Sequence, residues 1–234
     1  MALPPRTGAS SPPPHLPRTA AMIEALAAAS LNDLARVESV EGWLGRTEIE
    51  LLLGRAALVR SDHVIVEIGN YRGRSTVALA LGARRGARAR VYSIDPHLEF
   101  IGPRGGRFGP EDQAELYANL TRAGVGAEVH VVCLDSRAVA ASWSGPRVGL
   151  LFIDGDHRYG AVRADLDAWR PHLAPEADVL FDDCDFPDVA RLVRERVSAG
   201  QLVARAGAGK VGWFAVREGK NAETRKGDAE SAEV

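Results

Sequence analysis

Apolar residues fall along the chain in two alternating rhythms. The runs VIVEIG (64–69), RVYSID (90–95), EVHVVCL (128–134), VGLLFID (148–154) and DVLFDD (178–183) are mostly apolar over six or seven residues. Strands of a parallel sheet, covered on both faces, read this way. Between them, 74–84, 111–124, 136–143 and 158–170 each offer an apolar face at helical spacing. Strand and helix alternating in this manner predict a doubly wound α/β sheet. A further helix is expected over 187–199. After it, QLVARA and VGWFAVR are separated only by GAGK. So short a link allows a hairpin but no parallel crossover, so the sheet is expected to end in an antiparallel pair. Upstream, 20–29 and 47–59 read as helices packed over the first strand.

The ends of the chain differ from this middle. Six of the 13 prolines lie within the first 17 residues, among Ser, Thr and Gly. Such a stretch cannot build a core, so residues 1–18 read as a disordered arm. Residues 218–234 carry five acidic and three basic side chains and almost no large apolar ones, which predicts a solvated tail. One domain over 19–217 remains.

Composition narrows the class. Apolar residues make up 46% and charged residues 26% of the 234, ordinary for a soluble domain with a core. The net charge of -2 lacks the positive field that nucleic-acid wrapping or anionic membrane surfaces require. Cys133 and Cys184 cannot form a disulfide framework, and reduced thiols in a cytoplasmic protein are the simplest expectation.

Each of the five apolar runs ends in carboxylate: Glu67, Asp95, Asp135, Asp154 and the pair Asp182–Asp183. A charge at the end of a buried strand is costly unless a loop or ligand uses it, and ligands of open α/β sheets sit at those ends. The first turn reads Glu67-Ile68-Gly69-Asn70-Tyr71-Arg72-Gly73-Arg74-Ser75. Gly69 permits a tight turn, and Gly73 permits close approach where the next helix starts. Asn70 and Tyr71 fill the place of the second glycine of the dinucleotide fingerprint, and Glu67 would repel a pyrophosphate. Asp95 follows Gly73 by 22 residues, the spacing of an acid that grips ribose hydroxyls. A nucleoside without phosphates fits, and S-adenosyl-L-methionine answers that description. This reading requires Glu67 and Asp95 to serve a common cleft.

The runs VEIGNYRGRSTVALA, SIDPH, LFIDGDHRYGAVRADLDAW and VLFDD resemble the class I S-adenosylmethionine-dependent methyltransferases. The nearest branch is the IDGDH-type bacterial group related to catechol and caffeoyl-coenzyme A O-methyltransferases. The resemblance spans about residues 43–217 and implies a Rossmann-like sheet of seven strands, mostly parallel, with an antiparallel C-terminal strand. It places Glu67, Gly69 and Gly73 around the methionine part of the cofactor, Asp95 on the ribose, and Asp135 with Ser136 at the adenine edge. Asn70, Tyr71, Ser75, Pro96 and His97 lie in the same turns and join them as candidate cofactor contacts. It implies a metal site at Asp154, Asp182 and Asp183, with magnesium as second cofactor. The catechol-type enzymes place a lysine base three residues after the metal aspartate, where this chain has His157. A neutral imidazole can take a hydroxyl proton near pH 7, so His157 and Asp154 are the catalytic candidates, ahead of Tyr159, Asp185 and His97.

The expected reaction is methyl transfer to a hydroxyl of a small molecule, such as a sugar, phenol or other natural product. Neither nucleic acid nor membrane is an expected partner, and a homodimer is the candidate assembly. The rival readings are a non-catalytic S-adenosylmethionine-binding module on the same fold, and an oxidoreductase retaining NAD. The glycine-rich segment 99–111 reads either as a lid, with Arg104 and Arg107 toward an anionic or sugar acceptor, or as a disordered insertion. Trp43, Trp169 and Trp213 are expected in the core.

Overall fold

The computed structural model describes residues 31–217. The arm at 1–18, the helix expected at 20–29 and the tail at 218–234 lie outside them. In chain order the elements are α1 (Leu31–Glu38), α2 (Arg46–Ala57), β1 (Val64–Ile68), α3 (Arg74–Arg85), β2 (Arg90–Ile94), β3 (Phe100–Ile101), β4 (Arg107–Phe108), α4 (Pro110–Arg122), β5 (Val129–Val132), α5 (Ser136–Ala141), β6 (Val148–Ile153), α6 (Tyr159–Trp169), β7 (Leu173–Phe181), α7 (Pro187–Ser198), β8 (Leu202–Ala204) and β9 (Gly212–Val216). Seven strands form one sheet in the order β5-β2-β1-β6-β7-β9-β8, and β3 with β4 forms a separate short ribbon.

Strand periodicity divides the core between the two faces of the sheet. Ile65, Val91, Leu150, Phe152 and Leu180 pack with α2, α3 and residues Leu116 and Leu120 of α4. Their neighbours Val64, Val66, Leu151, Ile153, Val179 and Phe181 pack on the other side with Leu166 and Trp169 of α6 and with Val189 and Leu192 of α7. All five residues of β1 are buried, as befits a central parallel strand. No helix among the described residues is long and apolar enough to cross a membrane.

β1 pairs in parallel with β2 and β6, β2 with β5, and β6 with β7. β9 runs antiparallel to both β7 and β8, so the last strand of the chain inserts between the two that precede it. The predicted hairpin is therefore present, and its second strand carries it back into the sheet.

Three expectations need correction. Helix α1 has no counterpart in the sequence reading, and it buries Leu34 and Val37. β7 begins at Leu173, earlier than the run at 178, and the register against β6 slips between the Val148–Leu173 and Leu150–Asp178 pairs. Glu176, at φ 56°, lies in that irregular stretch. Trp43 is not in the core but 61% exposed, whereas Trp169 is fully buried and Trp213 packs against the core.

Candidate functional site

The ends of β1 and β2 are joined by a network of neutral donors. Glu67 is fully buried. One of its carboxylate oxygens accepts from the Thr76 hydroxyl at 2.6 Å and the Ser93 hydroxyl at 2.7 Å. Its other oxygen, Oε1, has no partner. Burial pushes the Glu67 carboxyl up to about 7, against the hydroxyls of Ser75, Thr76 and Ser93 that favour its charge. Asn70 donates from its side chain to Ser93 Oγ at 2.8 Å and from its backbone to Asp95 Oδ2 at 3.1 Å. Asp95 Oδ1 accepts from the His97 backbone at 2.8 Å. Glu67 and Asp95 thus belong to one connected hydrogen-bond network through Ser93 and Asn70. Each Asp95 oxygen keeps a lone pair for a further donor.

Gly69 (φ 81°) and Gly73 (φ 90°) take the left-handed conformation that the turn needs. A side chain at Gly69 would also lie 2.2 Å from the carbonyl oxygen of Asp154. That close approach puts the glycine turn directly against the end of β6, where the second half of the site begins.

There the side chains are ionisable. His157 Nε2 stands 3.6 Å from Asp154 Oδ1 and 4.0 Å from Asp182 Oδ2, and His157 Nδ1 stands 3.8 Å from Asp183 Oδ2. None of these is a hydrogen bond, and His157 Nε2 is buried without a partner. Burial pushes the imidazole below its usual pKa, with Asp183 and Asp182 pulling the other way. Burial and the neighbouring Asp182 raise the Asp154 carboxyl well above the usual range.

Two cations reach this rim from distant segments. Lys210 donates to Asp182 Oδ2 at 2.6 Å and to Asp183 Oδ1 at 2.9 Å. Arg104, at the tip of the β3–β4 ribbon, bridges Asp183 Oδ2 at 2.8 Å and Asp185 Oδ1 at 3.1 Å. Burial pushes the Asp183 carboxyl up, but the Lys210 bonds and the charges of Lys210, His157 and Arg104 bring it below its ordinary value.

The three-aspartate metal expectation can be tested on these contacts. Asp154, His157 and Asp182 offer ligand atoms within 4.8 Å of one another, and Asp182 Oδ1 is free. Yet both Asp183 oxygens and the second Asp182 oxygen are already held by Lys210 and Arg104. The residues as arranged do not fit a divalent ion on all three aspartates.

Comparison with known proteins follows the same lines. Residues 66–184, just over half of the chain, match the family model described as a methyltransferase domain. This chain belongs to that methyltransferase family. Among solved structures, cofactor-bound Rv0187 from MTB is similar at 22% identity and TM-score 0.60, over 86% of this chain and 94% of that one. An O-methyltransferase from Bacillus cereus in complex with SAH is similar at 17% identity and TM-score 0.59, over 85% and 92%. The O-methyltransferase TomG from Streptomyces achromogenes, involved in tomaymycin synthesis and solved with SAM, is similar at 16% identity and TM-score 0.56, over 83% and 89%. These likenesses establish the methyltransferase fold.

Within the family frame, the remaining sequence candidates divide. Ser75 sits buried beside Glu67. His97 is buried next to Asp95 at φ 48°, with Nε2 unpartnered, while Pro96 between them is exposed. Tyr71 turns into an aromatic patch, its ring 4.8 Å from Trp43 and 5.5 Å from Phe108, its hydroxyl on Glu41. Asp135 caps α5 through the Arg137 and Ala138 N–H groups and pairs with the Arg137 side chain. Ser136 donates to Asp165. Tyr159 bonds Glu195 of α7 and so takes no part in the rim. The segment 99–111 is an ordered ribbon closed by a bond from the Gly102 N–H to the Gly106 carbonyl, and Arg104 meets the aspartates rather than standing free for an anion.

Lys210 was absent from the sequence candidates. The register supplies the missing signal: Phe181 pairs with Gly212 in antiparallel fashion, which sets Lys210 opposite Asp183, two residues beyond on each strand. A lysine in the turn before a final antiparallel strand therefore lands at the carboxyl end of β7.

Proposed function

We propose that this methyltransferase takes its methyl group from S-adenosyl-L-methionine and passes it to a hydroxyl of a small molecule. The close approach of Gly69 to Asp154 carries the reading, since it sets the neutral cradle and the charged rim side by side. The SAH and SAM complexes of the similar O-methyltransferases support the same cofactor and the same kind of acceptor atom.

Asp95 would take the ribose hydroxyls on its free lone pairs, and Glu67 Oε1 would accept from the cofactor's ammonium, which restores the charge that burial resists. The adenine edge is proposed near Asp135 and Ser136. At the rim, the acceptor hydroxyl would lie against His157 Nε2, whose depressed pKa keeps it neutral and ready for a proton. The acceptor oxygen then attacks the methyl carbon and the carbon–sulfur bond breaks. Its electron pair neutralises the sulfonium, and the hydroxyl proton passes to His157. Asp154, 3.6 Å away, stabilises the imidazolium that forms. Alignment of oxygen, methyl and sulfur supplies much of the rate, because charge is dispersed in this transfer. Magnesium, which the resemblance implies, has no step here, because an ammonium already holds two of the aspartates.

The test is calorimetric titration with S-adenosylhomocysteine and with NAD, followed by incubation with methyl-labelled S-adenosylmethionine and a panel of hydroxyl acceptors. S-adenosylhomocysteine binding and label on oxygen are expected. Retention of NAD instead would overturn the cofactor. Binding with no transfer to any hydroxyl acceptor would favour the non-catalytic module.

A further inference from the structure

Lys210 is not a loose surface lysine. Its backbone N–H donates to Glu48 Oε1 at 2.8 Å, and its carbonyl accepts from the Cys184 N–H at 2.8 Å. Glu48 is itself buried in α2. The main chain at 210 is thus clamped from both sides, and the side chain, 24% exposed, delivers its ammonium to two aspartates that are nearly inaccessible.

Count the charges around this point. Asp154, Asp182, Asp183 and Asp185 bring four negative charges at most, and Lys210 and Arg104 bring two positive ones. Half of that negative charge is offset by residues of this chain alone. A divalent ion entering among the aspartates would find Asp182 and Asp183 already bonded to the ammonium and would compete with its charge.

We propose that Lys210 is the fixed counter-cation of the reaction rim, a positioning residue that occupies the electrostatic place of a divalent metal and makes metal binding unnecessary. By tying down Asp182 and Asp183 it leaves Asp154 and His157 as the groups that face the acceptor. The inference deepens the methyl-transfer reading and rests on it, but it is measurable without any acceptor.

The experiment titrates MnCl2 into the chelator-treated full chain, wild type, Lys210→Met and Lys210→Arg, with manganese binding read by electron paramagnetic resonance. The wild type and Lys210→Arg are expected to show no saturable site below about 1 mM, weaker than ordinary intracellular cation sites. In Lys210→Met the aspartates lose their partner and an uncompensated charge remains. That variant is expected to bind manganese at least about tenfold tighter than the wild type, about 1.4 kcal/mol. A stoichiometric micromolar site in the wild type would overturn the proposal, as would a Lys210→Met protein with unchanged manganese affinity. Should Lys210→Met fail to fold, the wild-type and Lys210→Arg titrations decide alone. S-adenosylhomocysteine binding, followed in parallel, reports on the cofactor reading separately, so each can fail by itself.

Discussion

The two halves of the site solve opposite problems. At the ends of β1 and β2, Glu67 and Asp95 are surrounded by hydroxyls, an amide and backbone N–H groups, with no cation among their hydrogen-bond partners. At the ends of β6 and β7, two of three aspartates are bound by a lysine and an arginine from remote segments. A buried carboxylate without a counter-charge keeps a raised pKa and an appetite for a cationic ligand, whereas a neutralised one holds geometry. The half proposed for the cofactor is thus incomplete by itself, and the half proposed for the acceptor brings its own positive charge.

The largest blow to this contrast is His157→Ala. Removing the proposed base from the rim is expected to lower kcat by about 10²–10⁴-fold, with the dissociation constant for S-adenosylhomocysteine unchanged, measured by initial rates and calorimetry. Equal losses in both would place His157 in the cofactor half.

Glu67 titrates at about 7 in the folded protein against an ordinary 4.5. Its folded-state pKa is raised, so the folded chain holds a proton that the unfolded chain releases first. Stability of the cofactor-free protein should fall as pH rises from 4.5 to 7 and level off above that. The drop from this residue is on the order of 3 kcal/mol. Asp165, raised to about 6 by burial, adds a smaller decline in the same direction. Asp154, which burial also raises, acts in the same direction. Urea unfolding at pH 5 and pH 8 checks it, and Glu67→Gln should make the slope shallower by the share of Glu67.

Asp95→Ala sharpens the cofactor side. Loss of hydrogen bonds to a charged group should weaken S-adenosylhomocysteine binding by about 10- to 100-fold, with kcat at saturating cofactor changed far less. Arg104→Ala is the smallest perturbation. Its guanidinium is half exposed, so stability should change by less than about 1 kcal/mol, and the thermal midpoint reports it. The acceptor KM should rise because the ribbon tip loses its tie to Asp183.

Much of this was legible along the chain. Runs such as 64–69 and 148–154, apolar on both strand faces, announce central parallel strands, and the polar residue that closes each run marks the carboxyl edge of the sheet. Glu67, Asp95, Asp154 and Asp182 do fall there. Roles were harder to read. Asp135 looks like another edge acid but caps its own helix, a local bond that competes with any ligand. Trp43 sits in an apolar pattern yet stays at the surface with Tyr71 and Phe108, because no further layer among the described residues covers that corner.

What the residue order determined by itself was periodicity: which segments are strands, which are helices, and which end of each strand is acidic. Those follow from local repeat lengths of about 2 and 3.6 residues, and need no knowledge of neighbours. The counter-charges were decided only by the tertiary fold. Lys210 lies 27 positions from Asp183 and Arg104 lies 79 positions before it. An antiparallel register and a short ribbon bring them together, and no rhythm within a single segment encodes either.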